Sequence, residues 1–392
     1  MSTSLDVQSS YAPPAPATPA ALARLTGIDV IRGAVMVLMA IDHVRVFSGV
    51  PAGGPTAGIF FTRWVTHFCA PAFVFLAGTG AFLHGRTLGS RPALSRYLLT
   101  RGLLLVALEL TVIHASWKFS FNYSNLLGGV IWMLGWCMVL MAGLVRFSPN
   151  AVGIFGIVVM IAQSLMHLAA RFVPAAAPVW KLLYLGGPIE IGSVNFWVLY
   201  NIIPWIGVMA AGYGFGAIVI REPAIRNRLC LRIGLGATAV FVILGTVVPI
   251  VQDGDGEMPM LFRVLEQNKY RDSQLFLLMT LGPTIALLPF ADGARGWVGR
   301  MLETFGRVPM FYYLLHIPLI HATALIVWYL RDGAVRAERF SAAPFVDSPA
   351  VERWSLPLLY LVFAIVVALL YPACAWYARV KARRSNSWLR FI

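Results

Sequence analysis

Residues Ile28–Phe47 read IDVIRGAVMVLMAIDHVRVF, and this stretch decides the class of fold. It is the first strongly apolar run of the chain. Charges interrupt it at both ends: Asp29 and Arg32 near its start, Asp42, His43 and Arg45 near its finish. An Arg or Asp at the centre of a membrane helix costs ~2.5–3.5 kcal/mol on insertion scales. A segment carrying such groups is either shielded by neighbouring helices or uses them. Arg32 and His43 are eleven residues apart, which at about 100° per residue is close to three full turns. Both therefore lie on one helix face, ~16 Å apart along the axis at ~1.5 Å per residue.

The rest of the chain has the same character. Of 392 residues, 59% are hydrophobic and 12% charged, with a mean hydropathy of +0.74. A soluble domain carries about 25% charged residues. Ten apolar segments follow one another at about 27–47, 64–84, 98–116, 127–146, 150–170, 196–220, 233–252, 274–291, 308–330 and 356–378. Each is long enough to cross ~30 Å of hydrocarbon. The expected fold is all-α, a polytopic transmembrane bundle of about ten helices. A Pro- and Ala-rich tail (1–24) precedes the membrane domain (25–378), and a basic tail (379–392) follows it. The opening tail has no basic start leading into a short apolar core, so it does not read as a secretory signal.

The net charge of +14 raises nucleic acid as a partner, but the Lys and Arg stand between apolar runs, where they set topology. With the N-terminus inside, the inner links and tails hold 18 of these cations and the longer outer links 12. Both termini are therefore expected in the cytoplasm. Cys69, Cys137, Cys230 and Cys374 form no close pair, so neither a metal site nor a disulfide framework is expected.

Several intramembrane polar groups stand out. In this orientation Arg32 lies toward the cytoplasm and His43 toward the outside. An Arg at one mouth can hold an anionic donor and a His at the other can act as a base; equally, Arg32 can pair with Asp29 and His43 can cap its helix. His67, in RWVTHFCAPAFVFLAG, is expected at the depth of His43. Glu109, inside LLLVALELTVIHASW, needs a cation or hydrogen-bond donors, and can orient an imidazole from His43 or His67. His114 and Trp117 read as interfacial anchors. Pro204 in NIIPWIGVMAAGYGFG is expected to kink its helix, and Gly207, Gly212, Gly214 and Gly216 to let helices approach closely. Lys269 and Tyr270, in an outer polar stretch, can bind a polar acceptor or anchor the next helix. In FGRVPMFYYLLHIPLIH, Tyr312, Tyr313 and His316 share one face behind Arg307.

These stretches carry a resemblance. Arg32 and His43 in IDVIRGAVMVLMAIDH resemble the Arg-x10-His signature of integral-membrane acyltransferases of acyltransferase family three. FGRVPMFYYLLHIPLI resembles that group's late Tyr/His helix, with His316 as the match and Pro309 near the place of its Ser. From about Leu25 to Tyr377 the chain is similar to the bacterial relatives of heparan-alpha-glucosaminide N-acetyltransferase. The runs RWVTHFCAPAFVFLAG, IPWIGVMAAGYGFG, KYRDSQLFLLMTLGP and FGRVPMFYYLLH carry that similarity.

The resemblance implies an acyl-CoA donor, usually acetyl-CoA, bound from the cytoplasm. It also implies transfer to a sugar-like acceptor on the outer side of a bacterial inner membrane. The expected roles are His43, His67 and Glu109 in catalysis, Arg32, Arg307, Tyr312 and His316 in donor binding, and Asp42, Lys269 and Tyr270 in acceptor binding. A homo-oligomer is compatible with it, and no metal is implied. The lysosomal enzyme's Lys-His-Ala-Ser-Trp-type stretch does not occur in the first link, which reads SGVPAGGPTAGIFFTRW. A transporter or flippase, and a structural membrane protein, are the competing readings. Buried ionisable groups and a Pro-broken helix are equally a transporter's marks.

Overall fold

The computed structural model describes residues 25–54, 56–172, 176–253, 259–267, 273–335, 343–344 and 349–383. Lys269, Tyr270 and the two expected tails up to residue 24 and beyond residue 383 lie outside these residues. The chain is a helical membrane bundle. Its helices are α1 (Thr26–Ser48), α2 (Ala57–Leu88), α3 (Arg91–Lys118), α4 (Val130–Leu144), α5 (Pro149–Phe172), α6 (Ile203–Val219), α7 (Pro223–Asp253), α8 (Gln274–Ala291), α9 (Gly296–Arg307), α10 (Pro309–Asp332) and α11 (Leu356–Arg383). Six of them are long and apolar enough to cross a membrane, and α4, α6 and the Pro149–Gln163 part of α5 are shorter apolar helices. With α1, whose charges set it apart, they correspond one for one to the ten apolar segments of the sequence. The remaining helix, α9, is amphipathic and leaves Trp297 and Val298 exposed.

Lipid tails are as apolar as Leu, so helices in a membrane associate through close backbone approach rather than through hydrophobic burial. The bundle shows this at two crossings. A Cβ on Gly33 of α1 would lie 1.8 Å from the carbonyl oxygen of Leu302, and one on Gly306 would lie 1.8 Å from that of Asp29. These two glycines let α9 lie directly on the first turns of α1. Gly78 and Gly212 do the same for α2 and α6, with a Cβ on either falling 2.0 Å from a carbonyl oxygen of the other helix. Local signals fix the helix starts: Ser90 and Ser273 each accept a backbone N–H three residues on, at Ala93 and Phe276.

Both ends of the bundle lie on one face. The Gly27 N–H donates to Asp292 at the end of α8 (2.6 Å), Arg226 pairs with the same carboxylate (2.7 Å), and Lys381 lines a cavity together with Arg32. We call this the terminal face and its opposite the loop face.

Four local features differ from the expectations. Helix α6 begins at Ile203 rather than near 196, so Pro204 sits in its first turn, where the missing N–H is no loss, and it kinks nothing. The residues before it form strands: β1 (Asn125–Gly128), β2 (Gly187–Ile191) and β3 (Val194–Val198), with β3 parallel to β1 and antiparallel to β2. Gly192, at φ 61°, turns the β2–β3 hairpin within two residues. The second span is broken by a 3-10 turn at Val65–Phe68, and the third contains a π-helical turn at Glu109–Ile113. Finally, α11 continues to Arg383, so the basic stretch from Arg379 starts as helix.

Candidate active site

Arg32 and His43 project from one side of α1, as their spacing requires. His43 is half-buried, and its Nδ1 lies 2.7 Å from Nε2 of His316 on α10. His316 is fully buried, and its Nδ1 lies 2.6 Å from the carbonyl oxygen of Tyr313. A carbonyl can only accept, so His316 Nδ1 carries a proton. In the neutral ring its Nε2 then holds the lone pair, and His43 Nδ1–H donates to it. The lone pair of His43 is left on Nε2. The α10 backbone thus sets, through one imidazole, which nitrogen of the other can accept a proton. Trp117 packs edge-on against His43 at 5.0 Å, and Tyr312 and Tyr313 flank His316 with ring centroids at 5.5 and 5.1 Å.

Two cavities approach this pair from opposite faces. The first, about 510 Å³, opens at the terminal face among Arg32, His84, Arg101, Arg307 and Lys381. Its walls are apolar, made of Met36, Leu76, Leu105, Leu134 and Met138 among others, and its inner part reaches Tyr313, Val130 and Ile131. Arg32 donates to Asp29 and to the Gly306 carbonyl, both at 3.1 Å. Arg101 donates to the Tyr97 hydroxyl at 2.8 Å, and the His84 ring packs at a tilt against the Tyr97 ring, centroids 4.3 Å apart. Arg307 is 43% exposed along its side chain and pairs loosely with Glu303.

The second cavity, about 700 Å³, lies at the loop face. It is lined by Glu109, His114, Trp117, Lys118, Ser120, Asn122, Ser124, Asn125, Asn195 and Trp197, among others. Neither His43 nor His316 lines either cavity. Tyr313, whose carbonyl holds His316, lines the first, and Trp117, which covers His43, lines the second.

Glu109 stands at the same level, 3% exposed. Its carboxylate takes the backbone N–H groups of Ile131, Trp132 and Gly129, so it caps the start of α4. One carboxylate oxygen, Oε2, has no hydrogen-bond partner among the described residues. The Glu109 carboxylate lies within electrostatic reach of Tyr313.

The other expected site residues fall elsewhere. His67, 8% exposed, sits in the 3-10 break with its ring 5.7 Å from Phe276. Asp42 is held by Arg63 at 2.8 and 3.0 Å and by Arg45 at 3.1 Å, all three buried. Such a cluster binds the helix ends to one another and leaves Asp42 little freedom to meet a ligand. Tyr312 lines neither cavity: it is fully buried against Phe305, and its hydroxyl has no partner among the described residues. Its neighbour Tyr313 takes the cavity position.

Trp117 is also not a lipid anchor. It is 7% exposed and stacks on Phe47 at 5.5 Å as well as meeting His43. A sequence signal for it did exist: His114–Trp117 reads His-Ala-Ser-Trp, at the end of the third span rather than in the first link. Arg101, Tyr97 and His84 carried no such signal, because they sit on two different helices and meet only in the fold. Among the described residues no three His, Cys, Asp or Glu side chains gather as a metal ion would require.

Residues 24–247, more than half of the chain, match the family model described as heparan-alpha-glucosaminide N-acetyltransferase, catalytic. The matched stretch contains Arg32, His43, His67 and Glu109, and ends before α10. No curated protein matches the chain.

Proposed function

The chain belongs to the heparan-alpha-glucosaminide N-acetyltransferase catalytic family, and on that premise we propose that it moves an acyl group from acyl-CoA, acetyl-CoA in the first instance, to a sugar-like acceptor across its membrane. The observation that carries this reading is the His43–His316 pair standing between two unlike cavities. The cationic mouth of the first suits a polyphosphate donor, with Arg32, Arg101, Arg307 and Lys381 meeting its phosphates and the apolar walls taking its pantetheine arm. The amides, serines and tryptophans of the second, with Glu109, His114 and Lys118 beside them, suit a polar acceptor that stacks on Trp197.

In this reading His43 Nε2 takes the proton of the acceptor hydroxyl or amine as that atom attacks the thioester carbon. The new carbon–oxygen or carbon–nitrogen bond forms, the carbon–sulfur bond breaks, and His43 returns the proton to the leaving thiolate. His316 shares the positive charge that His43 carries in between. The terminal face is cytoplasmic, which the excess of Lys and Arg there supports, and the membrane is the bacterial inner membrane.

The experiment is thiol release by the purified protein in lipid nanodiscs, with acetyl-CoA and a panel of sugars and amino sugars. Acceptor-dependent release of free CoA is expected. Movement of a sugar across proteoliposomes with acetyl-CoA left intact would overturn the proposal in favour of transport.

A further inference from the structure

Acyl transfer needs more than a base. As the acceptor attacks, negative charge develops on the thioester oxygen, and in a dry site that charge requires a hydrogen-bond donor already in place. The polar groups of the donor cavity are arranged unevenly. Arg32, His84, Arg101, Arg307 and Lys381 all lie toward the terminal face, where phosphates would be held. Along the apolar remainder of the cavity lining, Tyr313 carries the side-chain O–H.

The surroundings of Tyr313 suit it to that task. Its ring lies 5.1 Å from His316, which is hydrogen-bonded to His43, so the hydroxyl and the base belong to one cluster. Its main-chain carbonyl fixes the His316 ring, so the residue is anchored by its backbone and its side chain is left to the cavity. Among the described residues the hydroxyl has no protein hydrogen bond, and Tyr313, 5% exposed overall, lines the cavity. The adjacent Tyr312 makes the contrast: the same ring, one residue away, sealed against Phe305 and facing no cavity.

We infer that Tyr313 is a catalytic residue of the acyl transfer, its hydroxyl donating a hydrogen bond to the thioester carbonyl oxygen as the tetrahedral intermediate forms. The hydroxyl keeps its proton throughout. It binds the oxyanion more tightly than the ground-state carbonyl, which is what lowers the barrier. The inference rests on the acyl-transfer reading above.

Replacing Tyr313 by Phe removes the hydroxyl and leaves both the ring and the carbonyl that holds His316. For Tyr313→Phe we expect kcat to fall by roughly 10²-fold, the usual effect of deleting one such donor. KM for acetyl-CoA and the melting temperature should stay at wild-type values. Incorporation of 3-fluorotyrosine at position 313 keeps the shape and changes only the acidity of the hydroxyl, so kcat should move without any change in folding. Wild-type kcat in both Tyr313 variants, or a loss in Tyr313→Phe confined to KM or stability, would overturn the inference while leaving acyl transfer standing. A wild-type protein that releases no thiol from acetyl-CoA with any acceptor would remove the acyl-transfer reading itself.

Discussion

The two cavities are built from different material. The cavity at the terminal face, which in the proposed reading takes the donor, is walled by helices α1, α2, α3, α4 and α10 with Arg307 of α9 and Lys381 of α11 at its mouth, and its cations stand at one end of an apolar shaft. The cavity at the loop face is walled by the end of α3, the loop after it and the small sheet, and its lining mixes amides, hydroxyls and aromatic rings with Glu109, His114 and Lys118. A binding site on helices holds one shape, whereas sites on loops and sheet edges are where specificity varies. The difference suggests a constant donor and a variable acceptor served by one proton-handling pair between them.

The sharpest way to break this comparison is to remove the element common to both sides. His43→Ala should lower kcat by about 10³-fold, within the range of general acid–base catalysis, while labelled acetyl-CoA still binds. Retention of acceptor modification would sink the assignment of His43. Next in size is His316→Ala, expected to cost about 10²-fold in kcat because His43 loses the partner that fixes its tautomer. An effect confined to the KM for acetyl-CoA would instead return His316 to donor binding, where its helix motif alone would put it.

A third test concerns the donor cavity alone. Arg101→Met should raise the KM for acetyl-CoA about tenfold, as the loss of one charge-assisted phosphate contact predicts, and leave the acceptor KM unchanged. Gly80→Leu probes the same space sterically. A Cβ at Gly80 meets only the Arg32 guanidinium at 3.8 Å, so the larger side chain enters the cavity without straining the helix. It should weaken donor binding, read by isothermal titration, with the melting temperature unchanged. The smallest effect is expected at the outer rim. Trp197 is 39% exposed, and Trp197→Ala should raise the acceptor KM by about threefold to tenfold, in line with ~1 kcal/mol for a solvent-exposed stacking contact. If it raised the donor KM instead, the division of labour between the cavities would be wrong.

Much of this was legible in the sequence because membrane helices are written in long apolar runs. The ten segments, the shared face of Arg32 and His43, and the Tyr–His face of α10 follow from length and a 3.6-residue period. What the sequence did not show shares one cause. Pro204 looked like a kink because the strand before it, Val194–Val198, is as apolar as a helix and merges with it in a one-dimensional reading. Glu109 looked like a partner for an imidazole because only its burial was visible. The three backbone N–H groups that its carboxylate faces belong to the start of another helix. Asp42 looked available until the fold brought Arg63 across to it from a position 21 residues away.

The sequence by itself determined that this chain is a helical membrane bundle and that ionisable groups are carried into its apolar segments, since hydrocarbon permits few other solutions. Tertiary structure alone decided which of those groups meet. His43 and His316 are 273 positions apart, and no periodicity relates them. Their contact depends on how α1 and α10 pack. The direction of the hydrogen bond between the two rings, and with it the nitrogen left to act as base, comes from a single carbonyl on α10.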